Sequence, residues 1–125
     1  KVQRRALRMI SDLGDLHYEE RCEKLGIQSL EERRRRGDLI QCFKTVNGHG
    51  DIDPNAWFKF VRDRHDVETR SHEANNIVVE KCRLNVRKNF FVNRVVNDWN
   101  DLPMEVKYAT STNAFKNQYD AIYLK

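Results

Sequence analysis

The chain has 125 residues, with 23 Lys+Arg against 19 Asp+Glu for a formal net charge of +4, and 34% of its residues are charged against 39% hydrophobic. That length suits one ordinary domain, 1–125, without room for two substantial cores, and the modest positive balance permits an anionic or nucleic-acid partner without requiring one. No apolar run approaches the ~18 residues of a bilayer-spanning helix, the opening stretch does not read as a signal peptide, and the aromatic residues in periodic segments argue against disorder.

The chain begins at Lys1 rather than Met, inside a helical pattern, so a piece cut from something longer is expected. From Lys1 to about Leu13, Val2, Ala6, Met9, Ile10 and Leu13 recur at helical spacing, while Lys1, Arg4, Arg5 and Arg8 gather on the other side. This predicts a basic amphipathic helix closed by Gly14 as a left-handed cap. Asp15 then starts a short helix from Tyr18 to Leu25, ended by Gly26.

Ser29 and Glu32 form a Ser-x-x-Glu capping box, in which each side chain satisfies an orphan backbone donor. The helix it opens should run to about Val46, with Leu39, Ile40, Phe43 and Val46 on one face, and stop at Asn47-Gly48. Arg33 to Arg36 follow one another, but at about 100° per residue they point in four directions. Arg36 aligns with Ile40 and Phe43 and is expected to be partly buried, while Arg34 on the opposite face is left for phosphate. A merely solvated charge run is the equal alternative for Arg33 to Arg35.

Asp53-Pro54 reads as an N-cap followed by Pro at the first helical position, opening a short helix with Trp57, Phe58 and Val61. Arg62 to Asn76 lacks periodicity and reads as a loop. Ile77, Val78 and Val79 suit a short strand that can form a hairpin with the stretch around Leu84 and Val86. A long helix is expected from Arg87 to Asn100, with Phe91, Val92, Val95, Val96 and Trp99 inward, Leu102 following, and Pro103 as its stop. Its outer side carries Arg87 and Arg94 two turns apart on one line, with Lys88 beside them; contact with phosphate and neutralisation of Arg94 by Asp98 are both open. Ser111 or Thr112 caps a last helix that places Phe115, Tyr119 and Ile122 inward, in packing rather than base stacking. The fold class is therefore a predominantly α, small helical domain of about five or six helices, with a short β-hairpin near 77–86.

Cys22, Cys42 and Cys82 are odd in number and widely spaced, so neither a disulfide framework nor a zinc knuckle is suggested and reduced thiols are expected. His17, His49, His65 and His72 share no metal-ligand spacing, although His65, His72 and Cys82 can in principle meet. There is no Gly-x-Ser-x-Gly, no Gly-rich phosphate loop and no His-Glu-x-x-His. No self-contained active site, metal site or cofactor is expected.

Several segments together resemble a known family: Lys1-Val-Gln-Arg-Arg-Ala-Leu-Arg-Met-Ile10, Tyr18-Glu-Glu-Arg21 with Leu25-Gly26, and Ser29 through Ile40. Phe43-Lys44 with Asn47-Gly48, Thr69-Arg70 with His72, Asn85 with Arg87 to Phe91, Arg94 to Asn97 with Trp99-Asn100, Leu102-Pro103 and Phe115-Lys116-Asn117 follow in order. The series, spanning essentially the whole chain, resembles the carboxyl-terminal region of the reverse transcriptase of LINE-type (non-LTR) retrotransposons, notably chicken-repeat-like elements. The resemblance implies a thumb or post-thumb piece of an RNA-directed DNA polymerase. The chain has no Asp-Asp pair with which to hold the two catalytic metal ions, so it is not expected to be an enzyme by itself. Two positions depart from the family: His17 stands where a Ser-like cap is expected, and Ser71 where Gly is expected.

The resemblance suggests an accessory region of an intracellular protein, nuclear or cytoplasmic, that grips the template-primer backbone without sequence preference. Lys1, Arg4, Arg5, Arg8, Arg34, Arg87, Lys88 and Arg94 are the candidate RNA- or DNA-binding residues. Alternatively the domain packs on the polymerase thumb or another protein through Val2, Met9 and Ile10, or a host gene has captured it. No membrane partner and no small-molecule substrate are expected.

Overall fold

The computed structural model describes residues 1–63 and 75–124. The class is predominantly α, with eight α-helices and no sheet among the described residues. The excess over the expected number comes from two helices of 4 residues each, Asn85–Lys88 and Met104–Lys107, too short for periodicity to reveal. The chain divides into two units, Lys1–Arg36 and Gly37–Lys125, each taken by itself.

The first unit holds α1 (Val2–Arg8), a 3₁₀ turn (Ser11–Leu13), α2 (Tyr18–Lys24) and the opening turns of α3 (Leu30–Val46). The expected helix to Leu13 ends early because Ile10 is extended (φ −82°, ψ 115°). The apolar face of α1 also differs from expectation. Leu7, Leu13 and Cys22 are buried, whereas Val2 and Met9 are 85% and 82% exposed. At about 100° per residue, Leu7 lies beside Gln3 and away from the Val2–Met9 stripe. Gln3 donates to the Gln28 carbonyl at 3.3 Å, turning that face inward and the stripe outward.

Gly14 is right-handed (φ −53°) and is not the left-handed cap the sequence suggests. Gly26 and Gly48 do have positive φ, at 62° and 68°, where a side chain is strained. The N-cap of α2 is His17 rather than Asp15, and Glu20 accepts the His17 N–H at 2.8 Å. The capping box of α3 is formed as its spacing predicts: Ser29 N–H donates to Glu32 at 2.8 Å and Glu32 N–H donates to Ser29 Oγ at 3.2 Å.

Most of the core belongs to the second unit. Leu39, Cys42 and Phe43 of α3 meet Val95, Val96 and Trp99 of α6 (Phe91–Asn100) and Phe115 and Tyr119 of α8 (Thr112–Tyr123). Its aromatic centre is a stack, with Phe43 and Phe115 ring centroids 4.6 Å apart and Trp99 6.4 Å from Phe115. Truncating any of these rings to Ala should cost about 3–5 kcal/mol. Ile122, expected inward, is 45% exposed, so the buried stripe of α8 ends with Tyr119.

Two further expectations change. Ile77 forms an antiparallel bridge with Phe60, not with the stretch around Leu84 and Val86, which are 70% and 86% exposed. Phe60 and Ile77 are both buried, so the bridge joins two core residues, whereas the predicted partner has no buried face. The expected helix from Arg87 to Asn100 is split. α5 (Asn85–Lys88) ends at Asn89, and Phe90 is extended (φ −66°, ψ 141°) before α6 begins. The break is fixed by Asn93, whose amide donates to the Arg87 carbonyl at 2.7 Å. α4 (Pro54–Trp57) starts on Asp53, whose carboxylate accepts the Asn55 N–H, and α7 (Met104–Lys107) follows Pro103. Ser111 caps α8 by accepting the Ala114 N–H at 3.1 Å.

Candidate nucleic-acid interface

α1 projects Lys1, Arg4, Arg5 and Arg8 over roughly a third of its circumference, and all four are exposed. None of the four is ion-paired among the described residues. Arg4 is braced instead by stacking its guanidinium 4.7 Å above the Tyr18 ring, a contact that fixes the head without neutralising it. Arg34 is exposed in the same unit, and Arg36 is half-buried as its alignment with Ile40 predicts. The first unit thus presents charge that is available to an anion.

The second unit treats its basic candidates differently. Arg94 donates from Nε and Nη2 to the two Asp38 oxygens at 2.6 and 2.8 Å, and from Nη1 to the Asn89 carbonyl at 2.9 Å. That hydrogen bond to Asp38 pushes the Arg94 pKa further above its ordinary value. Its neutralising carboxylate is Asp38, which lies 56 residues away in sequence. Arg87 and Lys88 are exposed on α5, and Arg87 Nη2 stands 3.5 Å from Glu80. Because the helix is broken between them, Arg87 and Arg94 do not share one line, and the expected row of Arg87, Lys88 and Arg94 is not formed.

Glu80 is the anion that the sequence reading missed. Lys59 donates to it at 2.6 Å, and this hydrogen bond, followed by the Lys59 charge and then that of Arg87, holds its pKa below the ordinary 4.5. Arg21 was also missed. It is 6% exposed and donates to the carbonyls of Leu13 and Gly14 at 2.8 and 2.7 Å, clamping the turn between α1 and α2. Its place three residues after Tyr18 is apolar spacing, the one signal that marks it for burial. Tyr18 itself accepts the Leu30 N–H at 3.2 Å, so Tyr18, Glu20 and Arg21 of the Tyr-Glu-Glu-Arg segment each have a packing or capping task.

Burial, with the Asp38 charge adding to it, pushes the Cys42 thiol far up, so it is held as the protonated, unreactive form. Among the described residues no three His, Cys, Asp or Glu side chains gather as a metal site. His65, His72, Thr69, Arg70 and Ser71 lie outside the described residues, as does most of the expected loop from Arg62 to Asn76. Among the described residues no helix is long and apolar enough to cross a membrane. The chain matches no protein family, no curated protein and no solved structure.

Proposed function

We propose that this chain is a carboxyl-terminal accessory region of a LINE-type reverse transcriptase that grips the nucleic-acid backbone through its first unit, and that it has no catalytic activity of its own. The observation that carries the reading is the exposed arc of Lys1, Arg4, Arg5 and Arg8 on α1, none of them ion-paired among the described residues. Phosphate neutralisation by such residues is independent of sequence, which suits a domain that must hold whatever template and primer are being copied. Arg34 belongs to the same gripping unit. Arg94 does not, because its donors are committed to Asp38 and Asn89.

The test is binding of the 125-residue chain to a labelled RNA–DNA primer-template over a salt series, with Lys1, Arg4, Arg5 and Arg8 changed together to Gln. Each lost phosphate contact should flatten the log–log salt slope by about 0.7–0.9, so the variant should bind weakly with a slope smaller by about 3. An unchanged slope sinks the reading. A second reading, packing on upstream polymerase segments or in a host-captured setting on another protein, is favoured by the outward Val2–Met9 stripe. It predicts that Val2→Ser with Met9→Ser abolishes that association while leaving primer-template affinity intact.

A further inference from the structure

Within the second unit, α4, the segment Ile77–Glu80, α5 and the start of α6 enclose a cavity of about 380 Å³, in the size range of small-ligand sites. Two kinds of surface meet in its lining. Trp57 and Phe90 supply aromatic rings that the core does not use, being 41% and 65% exposed. Trp57 is held at its edge by Phe91, 5.7 Å between ring centroids, so it is a fixed wall. The same cavity is lined by Lys59, Glu80 and Arg87. Lys59 lies 2.6 Å and Arg87 3.5 Å from opposite oxygens of Glu80. Two cations therefore share one carboxylate, leaving a local positive charge. The Arg87 contact is long and its side chain is 67% exposed, so its guanidinium fork can turn to a second anion.

We infer that this cavity takes a nucleoside 5′-phosphate unit, with its base against Trp57 and Phe90 and its phosphate on Arg87 and Lys59. A wholly apolar ligand would desolvate the charges without compensation, and a small anion alone would leave the aromatic wall unused. A nucleotide uses both surfaces, since every base has a π-face and phosphate matches the guanidinium fork. Glu80 opposes the phosphate, which makes the site selective for a ligand that also stacks. The unit can be a free nucleotide or one residue of a single strand. The inference does not rest on the α1 reading, because every residue it uses belongs to the other unit.

The test is titration of the whole chain with adenosine monophosphate, with a five-nucleotide oligo(dA), and with inorganic phosphate, reading tryptophan emission. Trp99 is fully buried, so the change comes from Trp57 and should vanish in Trp57→Phe. Saturable quenching by the monophosphate or the oligonucleotide is expected, weakened about fivefold by Phe90→Ala and by Arg87→Gln and strengthened by Glu80→Gln. An oligonucleotide no tighter than the monophosphate assigns the site to a free nucleotide, and a tighter one to a strand. Arg87 is exposed, so Arg87→Gln folds and keeps the test decisive if Phe90→Ala does not. Absence of quenching by both ligands, equal quenching by phosphate alone, or indifference to Arg87→Gln overturns the inference. The α1 quadruple variant should keep monophosphate binding while losing primer-template, so either reading can fail without the other.

Discussion

Arg94 of α6 and Asp38 of α3 meet through two parallel hydrogen bonds, 2.6 and 2.8 Å, that tie helices 56 residues apart in sequence. The guanidinium also holds the Asn89 carbonyl at the end of α5, so one side chain fixes the angle of the α5–α6 break. The pair is therefore a clasp rather than a surface ornament. Its Arg94 side chain is 37% exposed, so solvent screening discounts the charge attraction and a coupling of about 1 kcal/mol is expected from the bidentate geometry. Asp38→Asn, Arg94→Gln and the double variant, compared by urea unfolding, should show that coupling. Additive single effects would refute the clasp, and a loss of salt slope in Arg94→Gln would return Arg94 to the nucleic-acid face.

The capping box gives a pH dependence with a definite sign. Hydrogen bonds from the Ser29 backbone and then its side chain lower the Glu32 pKa below 4.5, and Arg35 adds to this. A depressed carboxylate contributes stability that is fully present above its unfolded pKa and is lost as pH falls through the folded value. Glu32→Gln should therefore flatten the stability profile below about pH 4.5, while leaving its shape between pH 6 and 8 unchanged. Unfolding midpoints of the two proteins measured from pH 2 to 8 decide it. Parallel acid limbs would show that the cap contributes nothing through its charge.

These two contacts mark what the sequence could and could not disclose. Ser29 and Glu32 are three residues apart, so local spacing alone specified their geometry, and the same holds for Asp53-Pro54 and the Ser111 cap. Asp38 and Arg94 are distant in the chain, and no periodicity announces a tertiary ion pair. The arc of α1 was legible because Lys1, Arg4, Arg5 and Arg8 lie on one helix. The outward turn of Val2 and Met9 was not, because a helix of 7 residues offers two apolar stripes and tertiary packing chose the one with Leu7. The Trp57–Phe90 cavity was hidden for a related reason: α4 and α5 are single turns whose placement no local pattern dictates.

Thiol reactivity should divide by burial. Cys22 and Cys42 are buried, with Cys42 pushed far up by desolvation, while Cys82 is half-exposed. One thiol per chain, Cys82, should react promptly with an aromatic disulfide reagent at pH 8, and the other two only as the chain unfolds. Cys82→Ser should remove the fast phase. Two fast equivalents in the native protein would contradict the burial of Cys22 or of Cys42.

Lys107 offers the most stringent check on the core, because it is a lysine with no exposed surface. Its Nζ donates to the Asn100 carbonyl at 2.8 Å and to Asn76 Oδ1 at 3.0 Å. Asn100 in turn makes a two-way pair with the Ile77 backbone, accepting its N–H at 2.9 Å and donating to its carbonyl at 2.8 Å. Trp99 adds a bond from Nε1 to the Asn75 carbonyl at 2.9 Å. The 75–77 segment is thus attached to α6 and α7 by polar groups inside an apolar core, where each unsatisfied partner is costly. Lys107→Met keeps much of the volume but strands the Asn100 carbonyl and Asn76 Oδ1, and should destabilise by about 2–4 kcal/mol. Asn100→Ala should cost a similar ~2–3 kcal/mol by stranding the Ile77 backbone. The two losses should not add, since both variants release the same segment. Urea unfolding of the single and double variants measures this, and fully additive losses would mean that Lys107 and Asn100 stabilise the core independently of the 75–77 segment.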